Sequence, residues 1–350
     1  MRNAFADLLQ RNTYLLADGA TGSNLFEMGL LSGDAPELWN LAHPDRIRLL
    51  HQRFVDAGAD IILTNTFGGT RYRLKLHGAE ARVHELNVAA THLARAVADQ
   101  SPRTVLVGGS MGPTGEILEP LGPLSIADAK AAFTEQALAL QAGGVDVLWI
   151  ETMSSREEVE AAIAAAASTG LPVVSTLSFD TNGRTMMSLT PAELADVART
   201  HQLAGCGSNC GVGPSELIAS ILNLATAADP GTVLVAKANC GIPQYVDGAI
   251  RYNGTPELMG LYVQMALDAG ARVVGGCCGT SPEHLAAMRR AMDAYVPGAK
   301  PTATSIEAAL GPLTVGARAQ LAGHMDRASG AAAGATLRRG TGRRGATAEG

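Results

Sequence analysis

Eight times along this chain an apolar, β-branched run gives way to a stretch of helical periodicity. That alternation constrains the fold more than any other feature. The runs are Tyr14–Asp18, Asp60–Asn65, Thr104–Ser110, Val145–Ile150, Pro172–Phe179, the short and weak Gly205–Asn209, Thr232–Ala238 and Ala271–Gly275. Helical spacing comes after them over Asp45–Ala57, Ala79–Asp99, Ile126–Ala142, Arg156–Ser168, Pro191–His201, Pro214–Ala227, Pro256–Asp268 and Pro282–Asp293. Several helices open on a hydroxyl residue and a proline, as at Thr190-Pro191, Thr255-Pro256 and Ser281-Pro282, where a missing N–H costs nothing. Gly58, Gly170 and Gly270 stand at helix ends. The pattern predicts an α/β fold: a single-domain (β/α)8 TIM barrel over residues 1–297. A doubly wound open sheet is the alternative, but no GxGxxG turn comes after the first run. Beyond Pro297 apolar periodicity fades, and the chain ends in LRRGTGRRGATAEG. Residues 298–350 are therefore expected to form a low-complexity, disordered tail.

In a barrel, the loops at the strand ends lie on one rim, the carboxyl-terminal face. Polar residues and glycines collect there: LLADGATGSN with Asp18, Gly19 and Gly22; LTNTFGGT with Thr64, Asn65 and Thr66; GGSMGPTGE with Glu116; WIETMSS with Glu151; SNCGVGP with Cys210; KANCGIP with Lys237 and Asn239; and GGCCGTSP with Cys277 and Cys278. That convergence points to an enzyme. A net charge of −6 argues against a general nucleic-acid binder. No apolar run approaches the length of a membrane span, and the first dozen residues lack the apolar core of an export signal. The expectation is a cytoplasmic chain, free to form a homo-oligomer, with small-molecule partners.

Five cysteines without an export signal suit metal or catalytic use better than a disulfide framework. Cys210, Cys277 and Cys278 each sit where a strand ends, and three thiolates favour zinc. Three ligands leave a fourth position open, the mark of a catalytic zinc. No histidine lies just past a strand near the cysteine loops, so the all-sulfur set is preferred; such an electron-rich centre suits alkylation of a thiol rather than hydrolysis. Each residue also has a plainer reading. Cys206 and Cys240 fit as small buried hydrophobes or loop residues near the site. Asp18 could cap a turn, and Glu151 could be a helix N-terminal acid.

Taken together and in this order, LADGATGSNL, ILTNTFGGT, GGSMGPTGE, IETMSS, SNCGVGP and VVGGCCGT resemble the homocysteine S-methyltransferase family, over roughly Leu15 to Arg290. The chain looks closest to the short bacterial betaine enzymes. The resemblance implies a (β/α)8 barrel that moves a methyl group from a cationic donor to homocysteine, giving methionine. By it, Cys210, Cys277 and Cys278 match the zinc ligands. Asp18 and Glu151 match the catalytic acids that hold the homocysteine amino group. Gly19 and Thr64 lie in segments that approach the substrate. Betaine is the donor expected first, with Phe67 and Trp39 as walls for its trimethylammonium. Gly68 and Thr152 depart from the pattern, because both positions are aromatic in the animal betaine enzymes; a sulfonium donor such as S-methylmethionine is the alternative. A metal- or thiol-binding protein without turnover is the rival from another class.

Overall fold

The computed structural model describes residues 3–246 and 249–324. All eight expected strands form: β1 (Leu15–Leu16), β2 (Ile61–Leu63), β3 (Leu106–Met111), β4 (Val147–Met153), β5 (Val173–Leu177), β6 (Gly205–Cys210), β7 (Leu234–Ala238) and, after a two-stranded hairpin of β8 (Pro243–Val246) and β9 (Ala249–Tyr252), β10 (Ala271–Gly276). They pair in parallel in the order β1-β10-β7-β6-β5-β4-β3-β2. A bridge between Ala17 and Ile61 joins β1 to β2 and brings the sheet round into a barrel. Two hydrogen bonds reinforce that seam, Asp60 N–H to Leu16 O (2.7 Å) and Asp18 N–H to Ile61 O (2.9 Å). The weak-looking β6 has a steric reason for its small residues: a Cβ on Gly207 would stand 1.8 Å from Val235 O.

The eight expected helices succeed their strands with ends within a few residues of the sequence reading. Hydroxyl caps position several: Ser125, Ser155, Thr190 and Thr255 each accept from the N–H three residues on. The barrel interior is filled by Leu15, Ala17, Ile61, Leu63, Leu106, Val147, Trp149, Val174, Val235 and Val273. A helix not anticipated from the sequence, Ala4–Arg11, adds Phe5, Leu8 and Leu9 to this cluster and stoppers the amino end. Arg272, beside the start of β10, holds the stopper by donating to Leu9 O (2.8 Å).

The expected disordered tail needs correcting over 298–324. Thr302 and Thr314 cap two further helices, Ala303–Leu310 and Val315–Leu321, which bury Ile306, Leu310 and Ala317, with Leu313 of the link between them buried as well. They pack on the helix Pro214–Ala227. Glu216 of that helix accepts from Thr314 N–H, and Gln320 donates to Asn182 O in the loop after β5 (3.3 Å). The segment thus straps the loop after β5 to the helix after β6. The rest of the expected tail, 325–350, lies outside the described residues. No helix among the described residues is long and apolar enough to cross a membrane.

Candidate active site

One cavity of about 330 Å³ opens at the carboxyl face, and residues from almost every strand end line it. At its floor the Sγ atoms of Cys210, Cys277 and Cys278 all lie within 4.8 Å of one another. The Cys210 and Cys278 sulfurs are 3.9 Å apart. Cys206 and Cys240 are buried and stand outside this cluster, and burial pushes each of their thiols up to about 12. Backbone bonds fix the paired cysteines: Cys277 N–H to Ala238 O (2.6 Å), Thr280 N–H to Cys277 O (3.1 Å) and Cys240 N–H to Cys278 O (2.9 Å). Cys210 sits at φ +62° and Thr152 at φ +63°, both in the left-handed region that a non-glycine residue enters only under constraint. The constraint on Thr152 is reciprocal: its N–H donates to Asn209 Oδ1 (2.9 Å), and Asn209 Nδ2 donates to its Oγ1 (2.7 Å).

The donor set fits a soft divalent cation. Tetrahedral zinc with Zn–S bonds of ~2.3 Å asks for sulfurs about 3.8 Å apart, close to the Cys210–Cys278 spacing. Cys278 is pushed up to about 11, first by its hydrogen bond with Cys210 and then by burial. Three crowded thiols that resist ionisation alone are what a cation would deprotonate.

Beside the sulfurs is a buried charge cluster. Lys237 Nζ donates to Asp18 Oδ1 (2.8 Å), and Asp18 Oδ2 accepts from Leu63 N–H (2.7 Å). Ser110 Oγ donates to Glu151 Oε1 (2.5 Å). Among the described residues Glu151 Oε2 makes no hydrogen bond, and Glu151 lines the cavity. Burial works to lower the Lys237 pKa, but Asp18 and Glu151 outweigh it and hold the ammonium charged. A lysine held charged by Asp18 requires Asp18 as the carboxylate, so the pair is ionic although burial presses Asp18 upward. Glu151 is raised by burial. Two acidic side chains therefore crowd one ammonium, and a cation brought beside Glu151 would favour its ionised form.

The residues singled out from the sequence separate here. Glu151, Gly19, Thr64 and Phe67 line the cavity together with the three cysteines. Thr64 Oγ1 accepts from Ser110 N–H (3.1 Å) and contacts Thr66 Oγ1 at 2.6 Å. Asp18 does not line the cavity: both of its oxygens are engaged, and it reaches the site through Lys237, which does. Trp39 requires correction. Offered as a donor-site wall, it is buried away from the cavity against His43, with the Arg46 guanidinium 4.8 Å from its ring centroid. Its cation–π capacity is already taken. Glu37 and Arg73 also line the cavity, though nothing in the sequence had marked them. Glu37 Oε1 accepts from Gly68 N–H (2.6 Å), and a Cβ on Gly68 would stand 2.9 Å from that oxygen, so a larger residue there would push the carboxylate from its seat.

A ligand-sized cavity at the carboxyl mouth of a parallel eight-stranded barrel, floored by clustered thiols and buried charges, defines a barrel enzyme. The family model for homocysteine S-methyltransferase matches residues 15–292. The chain belongs to that family. It is 30% identical over 306 residues to the methionine synthase of Mycobacterium leprae strain TN, covering 81% of this chain and 25% of the relative. It is 31% identical over 288 residues to that of Mycobacterium tuberculosis H37Rv, covering 77% and 24%. The chain spans about a quarter of the length of these relatives. Among solved structures it is similar to the oxidised form of the Escherichia coli homocysteine methyltransferase MmuM, at 25% identity and a TM-score of 0.69, covering 83% of this chain and 99% of that one. The metallated form of MmuM, at 24% identity and the same TM-score, shares the fold.

Proposed function

We propose that this enzyme transfers a methyl group from a small cationic donor, betaine first, to the sulfur of homocysteine, with zinc held by Cys210, Cys277 and Cys278. The observation that carries the reading is the three-sulfur cluster sharing one cavity with a carboxylate that has a free oxygen. Zinc, when bound, would keep a substrate sulfur deprotonated and nucleophilic at neutral pH.

The protein's own part is positioning and charge. Glu151 Oε2 accepts from the substrate ammonium, and the added cation balances the second carboxylate. Asp18 acts through Lys237, fixing its ammonium beside Glu151. Thr64, held by Ser110 and Thr66, lines the wall near the bound amino acid. The Asn209–Thr152 pair stiffens the backbone immediately before Cys210. Phe67, about a third exposed, offers a ring face to an onium donor. Because such a donor departs neutral, in-line transfer needs no general acid, and alignment supplies the rate.

A donor panel tests the proposal. Zinc-supplemented protein and homocysteine are given betaine, S-methylmethionine, dimethylsulfoniopropionate or methylfolate in turn, with methionine as the readout. Turnover with betaine is expected. Turnover with a sulfonium alone moves the enzyme to that branch, and zinc binding without methionine from any donor favours the non-catalytic rival. Glu151→Gln should raise the homocysteine KM at least tenfold while zinc stays bound; loss of zinc instead would contradict the role given to Glu151.

A further inference from the structure

The wall of the cavity formed after β1 and β2 carries two opposite charges that do not meet. Glu37 lies in the loop after β1 and is buried. That loop is anchored: Asn65 Nδ2 donates to Pro36 O (2.7 Å) and to Asn40 Oδ1 (3.0 Å), so the Glu37 carboxylate has a fixed seat on Gly68 N–H. Arg73 stands in the short helix Arg71–Lys75 after β2, half-buried beside Gly115. Both side chains line the same cavity as the cysteines. They influence each other electrostatically yet close no ion pair, and among the described residues the Arg73 guanidinium has no hydrogen-bond partner.

An arginine lining a ligand cavity without a protein partner is poised for an anion, for which its planar fork is well shaped. A carboxylate lining the same wall is poised for a cation. Phe67 lines the cavity between the two in sequence, one residue before Gly68. In barrel order β2 lies across from β6, so Arg73 stands on the side of the mouth opposite Cys210. A ligand seated against this wall would turn its free face toward the sulfurs.

We propose that Glu37 and Arg73 form the methyl-donor subsite and select a zwitterion, Glu37 holding the onium group and Arg73 the donor's carboxylate. This rests on the methyl-transfer reading and narrows it: the donor carries both charges, and an onium compound without a carboxylate is a poor substitute. No aromatic cage is needed, because a buried carboxylate supplies the attraction that ring faces would otherwise give.

The test is the binding of two probes, glycine betaine and tetramethylammonium, to the zinc-supplemented, homocysteine-loaded protein by calorimetry. The wild type should bind betaine at least tenfold more tightly than tetramethylammonium. Arg73→Gln should weaken betaine at least tenfold and leave tetramethylammonium within twofold. Glu37→Gln, which keeps an acceptor for Gly68 N–H, should weaken both. An unchanged homocysteine KM and melting temperature show that the variants are folded and that the other substrate is untouched. Equal affinity of the wild type for the two probes, failure to bind betaine, or betaine affinity unaltered by Arg73→Gln would each overturn the proposal. The parent reading is judged separately, by methionine formation from any donor: methionine formed with no zwitterion selectivity sinks only the subsite.

Discussion

The two ends of the β1–β2 seam carry the same device with opposite charge balance. At the amino end Asp60 Oδ2 accepts from Leu16 N–H (2.9 Å); at the carboxyl end Asp18 Oδ2 accepts from Leu63 N–H (2.7 Å). Each aspartate pins the neighbouring strand where the ladder is shortest. At the amino end two arginines, Arg103 (3.1 Å) and Arg289 (3.2 Å), answer one carboxylate. Arg103 Nη2 also donates to Val55 O and Ala59 O. At the carboxyl end one lysine answers two carboxylates. In the first the carboxylate's charge is answered within the protein. Both ends line a cavity, but the second is short of a cation. A buried acid supports a binding site when its charge is left to be answered by something from outside.

Removing the carboxyl-face strap should cost most, and breaking the carboxyl end of the seam next. Truncation after Pro297 removes the strap that ties the loop after β5 to the helix after β6, and exposes the surface that buries Ile306, Leu310 and Leu313. At about 1.5–3 kcal/mol for each such side chain as an upper bound, the melting temperature should fall by at least about 5 °C. An unchanged melting curve would mean that the strap carries no weight. Lys237→Met leaves two acids buried without a cation. Urea unfolding should report about 3–5 kcal/mol lost, and kcat/KM should fall a hundredfold or more. Asp18→Asn combined with it should recover part of the stability but not the activity.

His51 provides a reference buried titration outside both charge clusters. Burial lowers its pKa from an ordinary 6.5 to about 4. Its contribution is fully present above pH 6.5 and drains away as pH falls toward 4, by up to about 3 kcal/mol. Subtracting the stability profile of His51→Gln from that of the wild type should isolate this slope; a flat difference would mean that the ring takes up its proton as readily in the folded state as in the unfolded one. The smallest effect belongs to the amino end. Asp60→Asn keeps the acceptor for Leu16 N–H and loses the charge between two guanidinium groups. Stability should drop by about 1–3 kcal/mol while kcat/KM stays within twofold. A large loss of activity there would erase the distinction between the two ends.

The barrel was legible because each strand and helix repeats one local pattern, and eight repeats leave little freedom in topology. Where elements do not belong to that repeat, the sequence reading fell short. The stopper helix has its signal in Phe5, Leu8 and Leu9 after the Asn3 cap, but it is short and stands outside the alternation. Ile306 and Leu310 are spaced for a helix face, yet the Ala/Gly-rich surroundings masked the caps at Thr302 and Thr314. In the site, glycine-flanked cysteines are hard to read as core, so their meeting could be expected. Trp39 was misjudged because a rim loop's sequence does not say which way an aromatic turns; here it turns inward under Arg46. Glu37 was invisible for the converse reason. It lies far along a loop, and only the anchoring through Asn65 and Gly68 brings its carboxylate to the cavity wall.

The claim on which the account rests is that Cys210, Cys277 and Cys278 form one zinc site. Metal analysis of protein purified under reducing conditions tests it most directly. About one zinc per chain is expected in the wild type and in Cys206→Ala, with little in Cys210→Ala, Cys277→Ala or Cys278→Ala. Full zinc in the Cys277→Ala, Cys278→Ala double variant would contradict it.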